Sequence, residues 1–201
     1  MHVLLFTGFL GSGKTTYIIP LAKALVKSKH RVAVIVNEIG EIGIDDQLMR
    51  QLDLNVWELL NGCICCTLAG DLVTTLHKLD TDYQPDLVIV EPSGAADPLN
   101  VLGALPYYHG RPLKSLRTVS ILDALRLPVL IEVLNPLITS QIQRADLILI
   151  NKCDLASEDE IAFAKKTTQE INPTARALCT QAQTTLEPEL VAEFVPWLSL
   201  P

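Results

Sequence analysis

The segment from Val3 to Thr16 reads Val-Leu-Leu-Phe-Thr-Gly-Phe-Leu-Gly-Ser-Gly-Lys-Thr-Thr, and it constrains the fold more than any other part of the chain. A short apolar run leads into Gly-x-x-x-x-Gly-Lys-Thr, and a helical pattern follows from Tyr17 to about Lys27, so the phosphate-binding pattern has the strand-loop-helix context it requires. Glycines at Gly8, Gly11 and Gly13 let the backbone curl so that successive N–H groups, Ser12 and Thr16 among them, face inward at the positive end of a helix. Lys14 can add a point charge to the β- and γ-phosphates, and the Thr15 hydroxyl can ligate the Mg²⁺ that accompanies a nucleotide. A nucleoside triphosphate is the expected ligand.

Around that segment, apolar strands and amphipathic helices alternate through all 201 residues without repeat or low-complexity linker, so a single domain is expected. Strands are predicted near Val3–Thr7, Arg31–Val36, Val56–Leu60, Asp86–Glu91, Leu116–Leu122, Asp146–Ile150 and Ala175–Leu178. They are continuously apolar, which predicts an α/β fold with a mostly parallel sheet and helices on both faces. Helices are predicted near Thr15–Lys27, Leu68–Leu79, Pro98–Ala104, Pro136–Gln143 and Glu158–Ile171. Pro106 to Pro112 reads as a loop, and the proline-bearing tail after Gln183 is expected to pack along the edge.

No run of about 18 uncharged apolar residues is present, and the N-terminus lacks the basic region of a signal peptide, so a cytoplasmic location is expected. The net charge of −7 without a Lys/Arg block argues against nucleic acid and anionic membrane as partners. Five cysteines, three of them within four residues, do not form a secreted disulfide framework. Metal or redox chemistry accounts for them better.

Three further constellations bear on chemistry. In Asp86 to Gly94 a carboxylate, Glu91, ends an apolar strand and a glycine follows three residues on. Nucleotide switches place there the acid that holds Mg²⁺ through water and, at Gly94, an N–H that senses the γ-phosphate. Glu91 can equally orient the attacking water. In Asp146 to Asp154 a second apolar strand delivers Asn151-Lys152-Cys153-Asp154 at its carboxyl end. Asp154 can accept from both donors on the guanine edge, whereas adenine presents an acceptor there, a mismatch costing several kcal/mol if buried. GTP or GDP is therefore the expected nucleotide, with Lys152 along the base and Asn151 tying this loop to the phosphate loop.

The third constellation is Asn61-Gly-Cys63-Ile-Cys65-Cys66-Thr67, a thiolate-rich segment suited to Zn²⁺, Co²⁺ or Ni²⁺. Buried structural cysteines and a thiol redox relay are the alternatives. Glu38 and Glu41, in the glycine-rich stretch after the second strand, can ligate either Mg²⁺ or the thiolate-bound ion, which would link nucleotide state to metal affinity. His109 is a further candidate ligand.

Taken together, the motifs at Gly8–Thr16, Asn37–Glu41, Asn61–Thr67, Glu91–Pro98 and Asn151–Asp154 resemble those of the CobW family, metal-handling GTPases related to the nickel-insertion proteins HypB and UreG. The resemblance implies a P-loop NTPase fold of a class that dimerises, a transition metal at Cys63, Cys65 and Cys66, and GTP hydrolysis coupled to metal delivery to a client metalloprotein or cofactor-synthesis enzyme. The sequence departs from the family pattern in lacking the usual C-terminal domain and histidine-rich tract, in Ala69 where an arginine is common, and in Pro92 where threonine is common. No arginine finger is evident, so slow intrinsic turnover is expected. The readings set against this are a GTP-gated regulator of a metalloenzyme, such as a corrinoid protein, with purely structural zinc, and an ATP-dependent small-molecule kinase or ligase.

Overall fold

Each apolar run ends at glycine, proline or a polar cluster, and the runs pair as seven parallel strands in the order β3-β2-β4-β1-β5-β6-β7. A computed structural model describes residues 1–36, 55–58, 68–181 and 185–198, with 55–58, 68 and 69 described for their backbone only. In chain order the elements are β1 (His2–Thr7), α1 (Lys14–Lys27), β2 (Val32–Val36), β3 (Asn55–Glu58), α2 (Leu68–Asp82), β4 (Leu87–Glu91) and α3 (Pro98–Ala104). A 3₁₀ turn (Leu105–Tyr107) and β5 (Ser115–Asp123) follow, then α4 (Leu127–Val133), α5 (Asn135–Gln143), β6 (Leu147–Asn151), α6 (Glu158–Ile171), β7 (Arg176–Cys179) and α7 (Pro188–Phe194).

The strands are apolar throughout because both faces of the sheet are covered. Alternate residues of β1 point opposite ways: Leu4 and Phe6 pack with Tyr17, Ile18 and Leu21 of α1 and with Val191 and Phe194 of α7. Val3 and Leu5 pack with Leu72, Leu76 and Leu79 of α2 and Val101 of α3. Farther along that second face, Ile148 and Ile150 of β6 meet Leu127, Ile138, Ile142 and Ala164 from α4, α5 and α6. All seven expected strands are present within a residue or two of their predicted limits, and so are the five expected helices except that α2 runs three residues past Leu79 to Asp82.

Two helices depart from expectation. The run Leu127–Val133 forms α4, although Pro128 lies in it, because proline fits the first turn of a helix where its missing N–H is not needed. The tail does not merely line the edge: Pro188 likewise opens α7, whose Phe194 is fully buried, 5.5 Å from the Phe6 ring centroid and 6.3 Å from that of Tyr17. Among the described residues no helix is long and apolar enough to cross a membrane.

The parallel arrangement brings the carboxyl ends of β1, β4, β5 and β6 side by side. Register pairs Leu5 with Val90 and Thr118, and Asp123 with Asn151, so the loops after these four strands converge above one edge. The sequence motifs stand on those loops.

Candidate functional site

The loop between β1 and α1 is shaped by glycines that no other residue could replace cheaply. Gly8 has φ 138°, and a Cβ there would run into the carbonyl oxygen of Ile121 on β5. Gly13 has φ 102°, and a Cβ would lie 2.5 Å from Asn151 Nδ2. Both positions are strained for L side chains and crowded by backbone or motif atoms, so the loop is held tight against β5 and β6. Gly13 also stands as the N-terminal cap of α1 without any side-chain hydrogen bond to the helix. By contrast, Asp97 caps α3, and Ser157 forms a reciprocal capping box with Glu160 on α6. The first N–H groups of α1 therefore face the loop, as an anion site requires.

Cationic side chains gather on this loop. Lys14 is 7% exposed and its Nζ donates to the Gly8 carbonyl at 3.0 Å. Lys152, in the left-handed region at φ 63°, donates from Nζ to the Gly11 carbonyl at 3.0 Å and to Asp123 Oδ2 at 2.6 Å. Ser12 Oγ is buried with no hydrogen-bond partner among the described residues. An enclosed hydroxyl, an ammonium and an uncapped helix start, all on one loop, fit a phosphate group.

Beside the loop, the Thr15 hydroxyl donates to Glu91 at 2.9 Å to Oε1 and 3.2 Å to Oε2. A hydroxyl and a carboxylate in contact next to a phosphate cradle offer hard oxygen ligands of the kind that Mg²⁺ takes in nucleotide sites. Gly94, at the other end of the same strand-loop, is pressed against the phosphate loop: a Cβ there would lie 2.5 Å from the Leu10 nitrogen. Movement of this segment is thus felt directly by the loop. Gln141 Nε2 donates to the Gly94 carbonyl at 3.4 Å, and Ser140 donates to Asp97 Oδ1 at 2.7 Å, so α5 braces the segment from behind.

The Asn151-to-Asp154 loop is tied in at its base. Asn151, 1% exposed, donates from Nδ2 to the Ser12 carbonyl at 2.8 Å and accepts at Oδ1 from the Tyr17 hydroxyl at 2.8 Å. The Tyr17 oxygen also lies 2.8 Å from Thr180 Oγ1. Burial pushes the Tyr17 hydroxyl pKa up, which keeps it a donor to Asn151. Cys153 donates from Sγ to the Ile150 carbonyl at 3.1 Å, and its pKa is pushed up to about 11 by burial first and by Cys179 second. Asp154 is exposed at the rim, free of the packing that fixes Asn151.

Of the expected site residues, Gly8, Gly11, Ser12, Gly13, Lys14, Thr15, Thr16, Glu91, Gly94, Asn151, Lys152 and Asp154 are thus brought to one end of the sheet. Cys63, Cys65, Cys66, Glu38 and Glu41 lie outside the described residues. Among the described residues no group of three His, Cys, Asp or Glu side chains could hold a metal ion. His109 is exposed beyond α3.

Sequence reasoning missed Asp123, Tyr17 and Thr180, which hold Lys152 and Asn151 in place. Asp123 carried the same signal as Glu91, a carboxylate closing an apolar strand. Tyr17, a helix residue with an apolar body, gave none.

Comparison with known proteins agrees with this geometry. A family model described as the CobW/HypB/UreG nucleotide-binding domain matches residues 2–179. The chain is 37% identical over 151 residues to the zinc chaperone YeiR of Escherichia coli, covering 75% of this chain and 46% of that protein. It is 29% identical over 218 residues to the zinc-regulated GTPase metalloprotein activator 1 of Dictyostelium discoideum, covering 89% of this chain and 45% of that protein. A crystal structure of the Zn(II)-bound YjiA GTPase from E. coli superimposes with a TM-score of 0.62 at 25% identity, covering 98% of this chain and 63% of that one. The chain spans about half the length of the curated relatives it matches. With a family model aligned over nearly all its length and the motif residues drawn together as described, the chain belongs to the CobW/HypB/UreG family of nucleotide-binding domains.

Proposed function

We propose that this domain hydrolyses GTP to GDP and phosphate and uses the nucleotide state to govern binding and delivery of a transition metal, Zn²⁺ before Co²⁺ or Ni²⁺, to a client metalloprotein or cofactor-synthesis enzyme. The observation that carries the nucleotide half is the Thr15–Glu91 contact beside the Lys14 loop, since it joins the hydroxyl of one motif to the carboxylate of another, 76 residues apart. The metal half rests on the Cys63, Cys65 and Cys66 motif and on relatives whose names are zinc chaperone and GTPase metalloprotein activator.

In this reading the loop N–H groups, Ser12 and Lys14 bind the β- and γ-phosphates, and Thr15 with Glu91 holds Mg²⁺, which would neutralise charge on the phosphates. Lys152 lies along the base, and Asp154 accepts from the guanine ring N–H and amine. Gly94 follows the γ-phosphate. Glu38 and Glu41 relay that state to the three thiolates, so that GTP favours a tight metal site and GDP a loose one. The protein works in the cytoplasm, and self-association as a homodimer is part of the proposal.

Asp154→Asn is expected to weaken GTP binding at least about tenfold while improving binding of xanthosine triphosphate, because the amide N–H can donate to the carbonyl that xanthine has where guanine has an amine. Competition between the two nucleotides against a fluorescent GTP analogue measures this. A variant that keeps its preference for GTP would show that Asp154 does not read the base.

The experiment that tests the coupling is chelator competition for Zn²⁺ and Co²⁺ with the chain loaded first with Mg²⁺ and a non-hydrolysable GTP analogue, then with GDP. Tightening by GTP of at least about tenfold, some 1.4 kcal/mol of coupling, is expected. Equal affinities would mean that the cysteines form a structural or independent site, and a GTP-gated regulator of a metalloenzyme would replace the delivery reading.

A further inference from the structure

The turn that leaves β5 is anchored with unusual thoroughness for a surface turn. Asp123 is 2% exposed, its Oδ1 accepts from the Leu125 N–H at 3.1 Å, and its Oδ2 takes the Lys152 ammonium at 2.6 Å. The Arg126 N–H closes the turn on the Asp123 carbonyl at 3.2 Å, and the Arg126 carbonyl accepts the first bond of α4 from Leu130 at 2.9 Å. The backbone of Arg126 is therefore fixed at the edge of the phosphate loop.

Its side chain is placed differently. Arg126 is exposed, Nη1 donates to the Leu10 carbonyl at 2.9 Å, and the guanidinium lies 5.5 Å from the centroid of the Phe9 ring. A Cβ on Gly11 would be only 3.3 Å from Nη1, so the group spans consecutive residues of the phosphate loop. Its partners among the described residues are a carbonyl and an aromatic face, both neutral. Such contacts hold a guanidinium in place at little cost and release it readily to a stronger anion. Leu10 is also the residue against which Gly94 is pressed, 2.5 Å from where its Cβ would be, so Arg126 and the Gly94 segment meet at one corner of the loop.

We infer that Arg126 is a catalytic arginine supplied in cis, held at the rim of the loop by the Leu10 carbonyl and able to turn onto the phosphates to stabilise the transition state of GTP hydrolysis. This deepens the proposed function and rests on it. In the reaction a water oxygen forms a bond to the γ-phosphorus, and the bond from that phosphorus to the β–γ bridging oxygen breaks. The electron pair leaves with GDP, and a water proton passes to the phosphate released. Negative charge grows on the bridging oxygen and β-phosphate, where a rigidly delivered guanidinium from the rim of the loop can meet it. Lys152 is held in an ion pair by Asp123, whereas Arg126 rests on a neutral carbonyl and a ring face and can turn away without leaving a buried charge behind. No arginine finger is evident in the sequence because Arg126 reaches the loop only through the fold.

The test compares the full chain with Arg126→Ala and Arg126→Lys, each with Mg²⁺. Steady-state GTP hydrolysis, GDP affinity and affinity for GDP with aluminium fluoride, a mimic of the transferring phosphoryl group, are measured. For Arg126→Ala the expected results are kcat lowered at least about tenfold, KM and GDP affinity within about threefold, and binding of the aluminium fluoride complex weakened at least about tenfold. Lysine should restore less than half of the loss, and added guanidinium should restore part of it. An unchanged kcat overturns the inference. So does a loss of GDP affinity matching the loss of kcat, since Arg126 would then only prop the loop. Should the unaltered chain hydrolyse no GTP, the proposed function fails and this inference with it, whereas hydrolysis insensitive to Arg126 removes only the inference.

Discussion

Lys14→Ala is expected to weaken binding of Mg²⁺-GTP at least about a hundredfold, roughly 2.7 kcal/mol, while leaving the chain folded. Lys14 is nearly enclosed, and its Nζ sits on the Gly8 carbonyl inside the loop. A phosphate entering the loop competes with that neutral carbonyl as a far stronger partner for an ammonium. Alanine removes the charge from a partly desolvated site where no exposed lysine can substitute. Titration with a fluorescent GTP analogue, beside a melting curve as a folding control, measures the effect. Should GTP bind Lys14→Ala as tightly as it binds the unaltered chain, the loop would not be the phosphate site, and the proposed function would fall.

Phe194→Ala is expected to destabilise the domain by about 3–5 kcal/mol, the usual cost of truncating a fully buried aromatic. Phe194 is 0% exposed and packs with Phe6 on the central strand and Tyr17 on α1. For a domain of this size the melting temperature should fall by roughly 6–20 °C. The same substitution should weaken GTP binding modestly, because Tyr17 loses the ring beside it and its hydroxyl holds Asn151 in place. Thermal and denaturant melts decide the point. A loss below about 1 kcal/mol would mean that α7 docks loosely and the core closes without it.

Much of the scaffold was legible because a strand buried on both faces must be apolar at every position, and helices on those faces must be amphipathic. Leu147 to Ile150 and Leu87 to Val90 announce themselves in that way. A capping signal did as well: Ser157 ahead of the acidic first turn Glu158 to Glu160 marks the start of α6, where the structure adds the reciprocal bond from Glu160. Proline misled in the tail, where Pro188 opens α7, yet did no harm in α1, which continues past the buried Pro20. A proline inside a helix costs about 3 kcal/mol, and there the packing of Tyr17, Ile18, Leu21 and Leu25 outweighs it. Helix α4 was missed since Leu127 to Val133 is seven residues, apolar except for Glu132 and opened by a proline, too short for a helical period to show. Val129 and Val133 of that helix remain exposed.

Within the site, the residues legible from sequence were those whose chemistry is local to a motif. Gly8 and Gly13 belong there, since a backbone at positive φ admits few other residues. Lys14, Thr15, Asn151 and Asp154 belong there too, each read from its spacing after an apolar strand.

The sequence by itself determined the strand-loop-helix unit, the parallel sheet and the nucleotide-binding end of it, because these depend on periodicity and on the conformational demands of single residues. The tertiary structure alone decided which distant groups meet: Thr15 with Glu91, Asn151 with Ser12 and Tyr17, Asp123 with Lys152, and Arg126 with Leu10. The physical reason is that strand order is not chain order. β5 lies beside β1, and β6 beside β5, only in the folded sheet, so an arginine 116 residues away along the chain can rest on the phosphate loop with no local signal that it does so.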